Sequence, residues 1–262
     1  MRIGFFDSGI GGISVLNEAI KKLPNEDFLY YADTLNVPYG NKTKEEVNKH
    51  VQKAVENMIK RGIKALVIAC NTATSISINE LRSMYSIPII GMEPAAKPAV
   101  ELSKSLDKKV LVFATDLTLK ELKYKNLITK LDKSCVIDSL ALPTLVEFCE
   151  RLNFEKEPLR FYFKKLLREF DLNQYGTIVL GCTHFPYYKS ILRDILPPHI
   201  SLVDGSEGTV KRLESLLKEN QLLNENGTNH ILFECSSQDQ TYIVKMKEAL
   251  SLLQNELNLI TK

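Results

Sequence analysis

Two cysteines in this chain keep matching company. Cys70 closes the apolar run of ALVIACNTAT and Cys182 that of TIVLGCTHFP, 112 positions later (182 − 70), and small hydroxyl or amide residues follow each. Both stand where a β-rich run stops and a helix-like segment begins. Unpaired N–H groups and the helix dipole at such a place favour a thiolate, drawing a thiol from its reference pKa of about 8.5 toward neutrality and making it usable as base or nucleophile. A buried structural cysteine is the plain alternative for either one alone; the repetition is what favours chemistry. Cys135, Cys149 and Cys235 lack that setting and are assigned to packing.

The neighbours of the two thiols extend the pattern. Asn71, Thr72, Thr183 and His184 place amide, hydroxyl and imidazole groups at the same two helix starts, a donor set suited to a carboxylate. N-capping by Thr72 or Thr183 is compatible with that reading. His184, two residues from Cys182, is placed to relay protons or tune the thiol, or is a satisfied turn histidine. In FFDSGIGG, Asp7 and Ser8 follow the first strand ahead of Gly9, Gly11 and Gly12. The glycines fit a tight strand-to-helix turn and match no nucleotide fingerprint, whereas an acid at a strand end can bind a substrate ammonium or assist proton transfer. NVPYGNKT sets Tyr39 and Gly40 in a turn.

These residues need strand ends to carry them. Short apolar runs at 3–6, 28–31, 65–69, 87–90, 110–113, 177–180, 202–203 and 230–233 predict strands, and helix-period patterning predicts helices over 45–61, 162–170 and 244–253. Such alternation indicates an α/β fold with mostly parallel sheets, in which ligands gather where strand C-termini meet helix N-termini. A weak internal echo, IGFFDSG against VLVFATD at a spacing of 108 (Asp7 to Thr115), lies close to the spacing of the cysteines. It points to two similar α/β lobes, with boundaries expected near residues 97 and 208: one domain of 1–97 plus 209–262, a second of 98–208.

At 262 residues the chain is long enough for two such domains, and 34 basic against 32 acidic residues leave a formal charge of +2. That balance offers no field for nucleic acid or an anionic membrane. No apolar stretch approaches the roughly 20 residues of a bilayer span and no leader-like segment opens the chain, so a soluble, cytoplasmic protein is expected. Five cysteines are an odd count in a core-rich chain, and free thiols are the expectation. No C-x-x-C pair supports a metal site, and no lysine has a phosphate-cofactor partner; no cofactor is expected.

Taken together, FDSGIGG, ADTLNVPYG, VIACNTAT, IPIIGMEPA, FATDLT, ALPTLVEFCE, VLGCTHFPYYKSI and VDGSEGTVKRL resemble the glutamate racemases of the cofactor-independent aspartate/glutamate racemase superfamily over most of the chain. The ordered pair CNT and CTH is the specific part. The resemblance implies Cys70 and Cys182 as the two catalytic acid/bases, with Cys70 abstracting from D-glutamate and Cys182 from L-glutamate. It implies Asp7, Ser8, Tyr39, Gly40, Asn71, Thr72, Thr183 and His184 as substrate-binding residues, with Asp7 and His184 also tuning the thiols. Glu150 falls where the family carries an assisting carboxylate, and Glu147 competes for that role. Ser236 to Asp239 stand where the family often shows Gly-Asp. The implied fold is two α/β lobes about a pseudo-twofold axis with the active site between them, and the implied assembly a homodimer supplying D-glutamate for peptidoglycan.

Two other classes fit parts of the sequence. A cysteine hydrolase would pair Cys182 with His184, form a covalent intermediate and have little use for Cys70. A binding protein would hold glutamate without turning it over.

Overall fold

The computed structural model describes residues 1–39, 42–92, 95–131 and 136–260. The chain runs through β1 (Arg2–Asp7), α1 (Ile13–Lys22), β2 (Phe28–Ala32), α2 (Lys44–Lys60), β3 (Ile63–Ile68), α3 (Asn71–Met84) and β4 (Ile89–Gly91). There follow α4 (Ala96–Lys104), β5 (Lys109–Ala114), α5 (Asp116–Lys120), α6 (Leu122–Leu131), β6 (Ile137–Ala141), α7 (Pro143–Glu150), α8 (Lys156–Leu167), β7 (Tyr175–Leu180), α9 (Lys189–Ile195) and β8 (Ser201–Asp204). The last elements are α10 (Ser206–Glu219), β9 (Ile231–Cys235) and α11 (Gln240–Ile260). They form two compact units, Met1–Glu93 with Ser206–Lys262, and Pro94–Gly205.

In the first unit five parallel strands lie in the order β4-β3-β1-β2-β9. Of the inner strands, β2 and β3 are buried along their whole length and β1 at all but Arg2, which is why β3 reads as an unbroken apolar run apart from Lys64. Lys64 is buried too, its ammonium 2.6 Å from the Glu26 carboxylate. Val47, Val51, Val55 and Met58 give α2 one apolar face, buried against Phe6, Leu66 and Ile68. Its start is fixed by a capping box: Thr43 Oγ1 accepts from the Glu46 N–H, and the Thr43 N–H donates to the Glu46 carboxylate at 2.9 Å. Gly62, at φ 75°, turns the chain from α2 into β3.

The second unit has four parallel strands in the order β6-β5-β7-β8. Numbered within their own unit, both sheets contain the order 2-1-3-4; the first unit adds β9 beside its second strand. The likeness reaches individual residues. Each sheet has a register irregularity at the start of its first strand, between Arg2 and Ile3 and between Lys109 and Val110. Beyond it Ile3 faces Ala65, and Val110 faces Thr177. The third strands therefore correspond at an offset of 112 (177 − 65), whereas the first correspond at 107 (110 − 3) rather than the expected 108. Asp7 thus has Ala114, not Thr115, as its counterpart: the Asp7 carbonyl accepts from the Asp33 N–H at 3.0 Å as that of Ala114 does from Leu142 at 3.0 Å.

Several elements differ from the sequence expectation, β6 and α8 among them. The strand β6 was not anticipated; its residues Ile137, Asp138, Ser139, Leu140 and Ala141 form a partly exposed edge, and an edge strand lacks the apolar run that marks a buried one. Helix α8 begins at Lys156 and ends at Leu167 instead of spanning 162–170, because its buried stripe is Leu159, Phe163 and Leu167.

Candidate active site

The switch point of an open parallel sheet lies where the chain leaves strand one for opposite sides, opening a crevice at the strand C-termini. In the first unit that point is shared by the ends of β1 and β3, and Asp7, Ser8 and Cys70 gather there. The fully buried Asp7 accepts from the Gly9 N–H at 2.9 Å and, more loosely, from Ser8 Oγ at 3.4 Å. Ser8 Oγ is in turn 4.0 Å from Cys70 Sγ. Cys70 is the N-cap of α3, its sulfur accepting from the Ala73 N–H at 3.4 Å. The N-terminus of a 14-residue helix thereby points at the sulfur and favours negative charge beside it.

Asn71 occupies the first turn of α3, buried, and among the described residues neither its amide nitrogen nor its amide oxygen has a partner. A buried amide with both ends unanswered is costly unless a ligand answers it. Thr72 is buried beside it, while Thr74 Oγ1 is committed to the Ile68 carbonyl at 3.0 Å.

Sequence reasoning overlooked Asp33. It follows β2 directly, as a residue just past a strand end, and its carboxylate accepts from the Tyr39 hydroxyl at 2.6 Å and from the Asn36 amide at 2.9 and 3.1 Å. Burial, then the charge and hydrogen bond of Asp33, push the Tyr39 phenol well above its ordinary value, so Tyr39 stays a neutral donor. The signal was present in ADTLNVPYG: an acid at the ligand end of a strand, as for Asp7. Gly40 lies outside the described residues.

In the second unit the equivalent crevice holds Cys182, Thr183 and His184, all buried after the end of β7. The expected helix start is here a different structure. A 3₁₀ turn over Phe185–Tyr188 precedes α9, with the Phe185 N–H donating to the Cys182 carbonyl at 3.0 Å. Pro186 supplies no N–H, and the turn is pinned by Tyr187 stacked on Phe154 at 5.7 Å and by the Tyr188 hydroxyl donating to the Leu145 carbonyl at 2.7 Å.

His184 Nδ1 lies 3.6 Å from Cys182 Sγ and Nε2 lies 2.8 Å from Glu150 Oε1, at the end of α7. Glu147, one turn earlier, is exposed. Burial works against the charged imidazole, but hydrogen bonds with Cys182 and Glu150 and their charges outweigh it and hold the His184 pKa well above 6.5. Each thiol therefore has a carboxylate two contacts away, Asp7 through Ser8 in one unit and Glu150 through His184 in the other. The second unit draws its acid from α7 because Ala114 stands where Asp7 would be. Cys149 and Cys235 are buried and form no disulfide among the described residues; Cys135 lies outside them. No helix among the described residues is long and apolar enough to cross a membrane.

Comparison with known proteins gives these crevices a context. Residues 13–213 match the Asp/Glu/hydantoin racemase family. A glutamate racemase of Halothermothrix orenii is 50% identical over 254 residues, covering 97% of this chain and 99% of that protein. The glutamate racemase of Francisella tularensis, solved in complex with D-glutamate, is 29% identical with a TM-score of 0.82, covering 95% of this chain and 93% of that one. That of Escherichia coli, solved with L-glutamate and the activator UDP-MurNAc-ala, is 28% identical with a TM-score of 0.82 and covers 95% of both chains.

Proposed function

The chain belongs to the Asp/Glu/hydantoin racemase family, and from that premise we propose that it interconverts L- and D-glutamate without a cofactor, exchanging the Cα proton between Cys70 and Cys182. The observation that carries this reading is the duplicated arrangement of one buried thiol at each sheet's switch point, each backed by its own carboxylate. Inverting a stereocentre needs a base on one face of Cα and an acid on the other. Two thiols supply both, with roles that swap with substrate handedness.

In one direction the thiolate of Cys70 takes the α-proton of D-glutamate and the thiol of Cys182 returns a proton to the opposite face. The two sulfurs end with exchanged protonation states, and Ser8 with Asp7 and His184 with Glu150 are the groups through which each is reset. The α-hydrogen is weakly acidic, so developing charge must be spread. Asn71, with both amide ends unanswered, and Thr72 and Thr183 are the donors for the substrate carboxylates, while Tyr39, whose proton goes to Asp33, meets the substrate only as an acceptor. The substrate ammonium, held near Asp7, offsets the carbanion. The assignment to glutamate rests on the names of the relatives; a cytoplasmic homodimer that supplies D-glutamate for peptidoglycan is part of the proposal and rests on the family resemblance alone.

A second reading has a specific observation in its favour: Cys182, His184 and Glu150 are spaced as a nucleophile, base and orienting acid. That hydrolase would leave a covalent intermediate and spare Cys70. Incubation with L- or D-glutamate in heavy water separates the two, following optical rotation and Cα deuteration together. We expect racemisation with deuterium uptake in the wild type and no racemisation in either direction in Cys70→Ser, a result with which slow one-sided exchange at Cys182 is compatible. Bound glutamate with no change in either signal ends the racemase reading, and full activity in Cys70→Ser removes that thiol from it.

A further inference from the structure

Helix α7 carries Glu150 as its last residue, and the chain leaves the helix in a conformation that needs support. Leu152 stands in the left-handed region, at φ 52°, where helices are commonly closed by glycine. Its N–H donates to the Cys149 carbonyl at 2.8 Å and that of Asn153 to the Phe148 carbonyl at 2.9 Å, so the backbone itself closes the helix. A leucine held this way costs about 1–2 kcal/mol. Contacts beyond the helix must fix it there, and the first ring past it is Phe154.

Phe154 lies against both tyrosines of the 3₁₀ turn that follows His184. It is stacked on Tyr187 at 5.7 Å between centroids with an interplanar angle of 11°, and its ring is 5.6 Å from that of Tyr188. Tyr188 in turn reaches the first half of α7 through the bond of its hydroxyl to the Leu145 carbonyl at 2.7 Å. The helix and the segment after it are thus fastened to the turn at two places, Leu145 and Phe154, and Glu150 lies between them in the chain. With the Leu145 attachment alone, the end of α7 is free to pivot. A displacement of about 1 Å there is enough to break the 2.8 Å contact between Glu150 and His184 Nε2.

We propose that Phe154 is a positioning residue of the Cys182 relay: seated on Tyr187 and Tyr188, it holds the end of α7 where Glu150 meets His184, and so keeps the imidazole poised to exchange a proton with Cys182. The part this relay plays in turnover rests on the racemase reading; the dependence of the Glu150–His184 contact on Phe154 does not. The ionisable groups that meet His184 are Cys182 on its own turn and Glu150 on α7. Behind the turn, burial raises the phenols of Tyr188 and Tyr162 and keeps both protonated, and Cys149 lies near Tyr188. Lys189, at the start of α9, is paired with Asp204. Glu150 is therefore the group through which a movement of α7 reaches the imidazole.

The test is the titration of His184, followed by NMR in the full chain labelled at histidine; among the four histidines its signal is the one lost in His184→Gln. In the wild type it should titrate above 6.5. In Phe154→Leu the midpoint should shift down, because the imidazolium loses its carboxylate, and in Phe154→Tyr, which keeps the stacked ring, it should stay. Phe170→Leu is the control, a half-buried ring of the same unit packed on Tyr175 at the opposite end of β7 from Cys182. It should lower the urea midpoint and leave His184 unmoved. An unmoved midpoint in Phe154→Leu, or an equal shift in Phe170→Leu, overturns the proposal. Should Phe154→Leu fail to fold, Tyr187→Leu removes the other half of the stack and decides by the same two outcomes. In the racemisation assay Phe154→Leu should lower kcat about tenfold with KM unchanged, part of what acid–base catalysis supplies, and Phe154→Tyr should retain wild-type kcat. A kcat that does not fall in Phe154→Leu while the midpoint shifts removes the relay from turnover. The titration needs no turnover, so an inactive enzyme would refute the racemase reading and still decide whether Phe154 positions Glu150.

Discussion

At the scale of single residues, the two thiols are served differently. Cys70 has a hydroxyl between itself and a fully buried acid; Cys182 has an imidazole that can carry a proton. Glu150→Gln tests the second arrangement. His184 has a folded pKa raised above 6.5, so the stability it contributes is fully present below the unfolded value and is lost as pH rises through the folded one. Removing the Glu150 carboxylate lowers that folded value. Urea midpoints across a pH series should therefore show the wild type more stable than the variant at acidic pH, with the gap narrowing as pH rises. Turnover in the variant should fall about 10²-fold. The enantiomers are equal in energy, so kcat/KM must fall equally from both sides; equal turnover by variant and wild type would free Glu150 from any role in proton movement.

At the scale of elements, the start of α1 is positioned by what is missing from Gly12. Its φ of −63° is open to any residue, but a Cβ there would stand 2.7 Å from Asp7 Cβ and 2.9 Å from Ala69 Cβ. The helix packs against the acid and against the residue before Cys70 only because that position is bare. Gly12→Ala should cost about 1–3 kcal/mol by overpacking and should lower kcat by displacing Asp7. Gly62→Ala is the contrast. Nothing lies within 4 Å of its Cβ and its φ is 75°, so backbone strain should destabilise the fold by about 1 kcal/mol with kcat unchanged. Denaturation midpoints and turnover measured on both variants check the pair; unchanged kcat in Gly12→Ala would detach Asp7 from the chemistry.

At the scale of the whole molecule, two sheets share an order, a register irregularity and a cysteine after the third strand, yet each has its own core. Under the proposed mechanism, one substrate served by both thiols should leave a mark on both units. In amide hydrogen exchange, saturating glutamate should slow the first turn of α3 and the segment from Gly181 to Phe185 together. At a hundredfold excess over its Kd, it should add about 2.7 kcal/mol to the stability of what it binds. Protection confined to one segment would put the ligand in one unit alone.

The chain order and local character of the residues determined much of this by themselves. Buried parallel strands need unbroken apolar runs, so β1, β3, β5 and β7 were legible, and with them the two positions where a cysteine follows a strand. The edge strand β6 and the 3₁₀ turn after Cys182 were not, because a partly exposed strand carries no strong pattern and the turn is held by tertiary contacts of Tyr187 and Tyr188. Only the folded structure selected Glu150 over Glu147 as the partner of His184, brought Asp33 onto Tyr39, and moved the match of the first strands from 108 to 107. Those outcomes depend on which side chains meet across elements far apart in the chain. Helix rotation and strand register set that choice, and one turn or one residue is enough to reverse it.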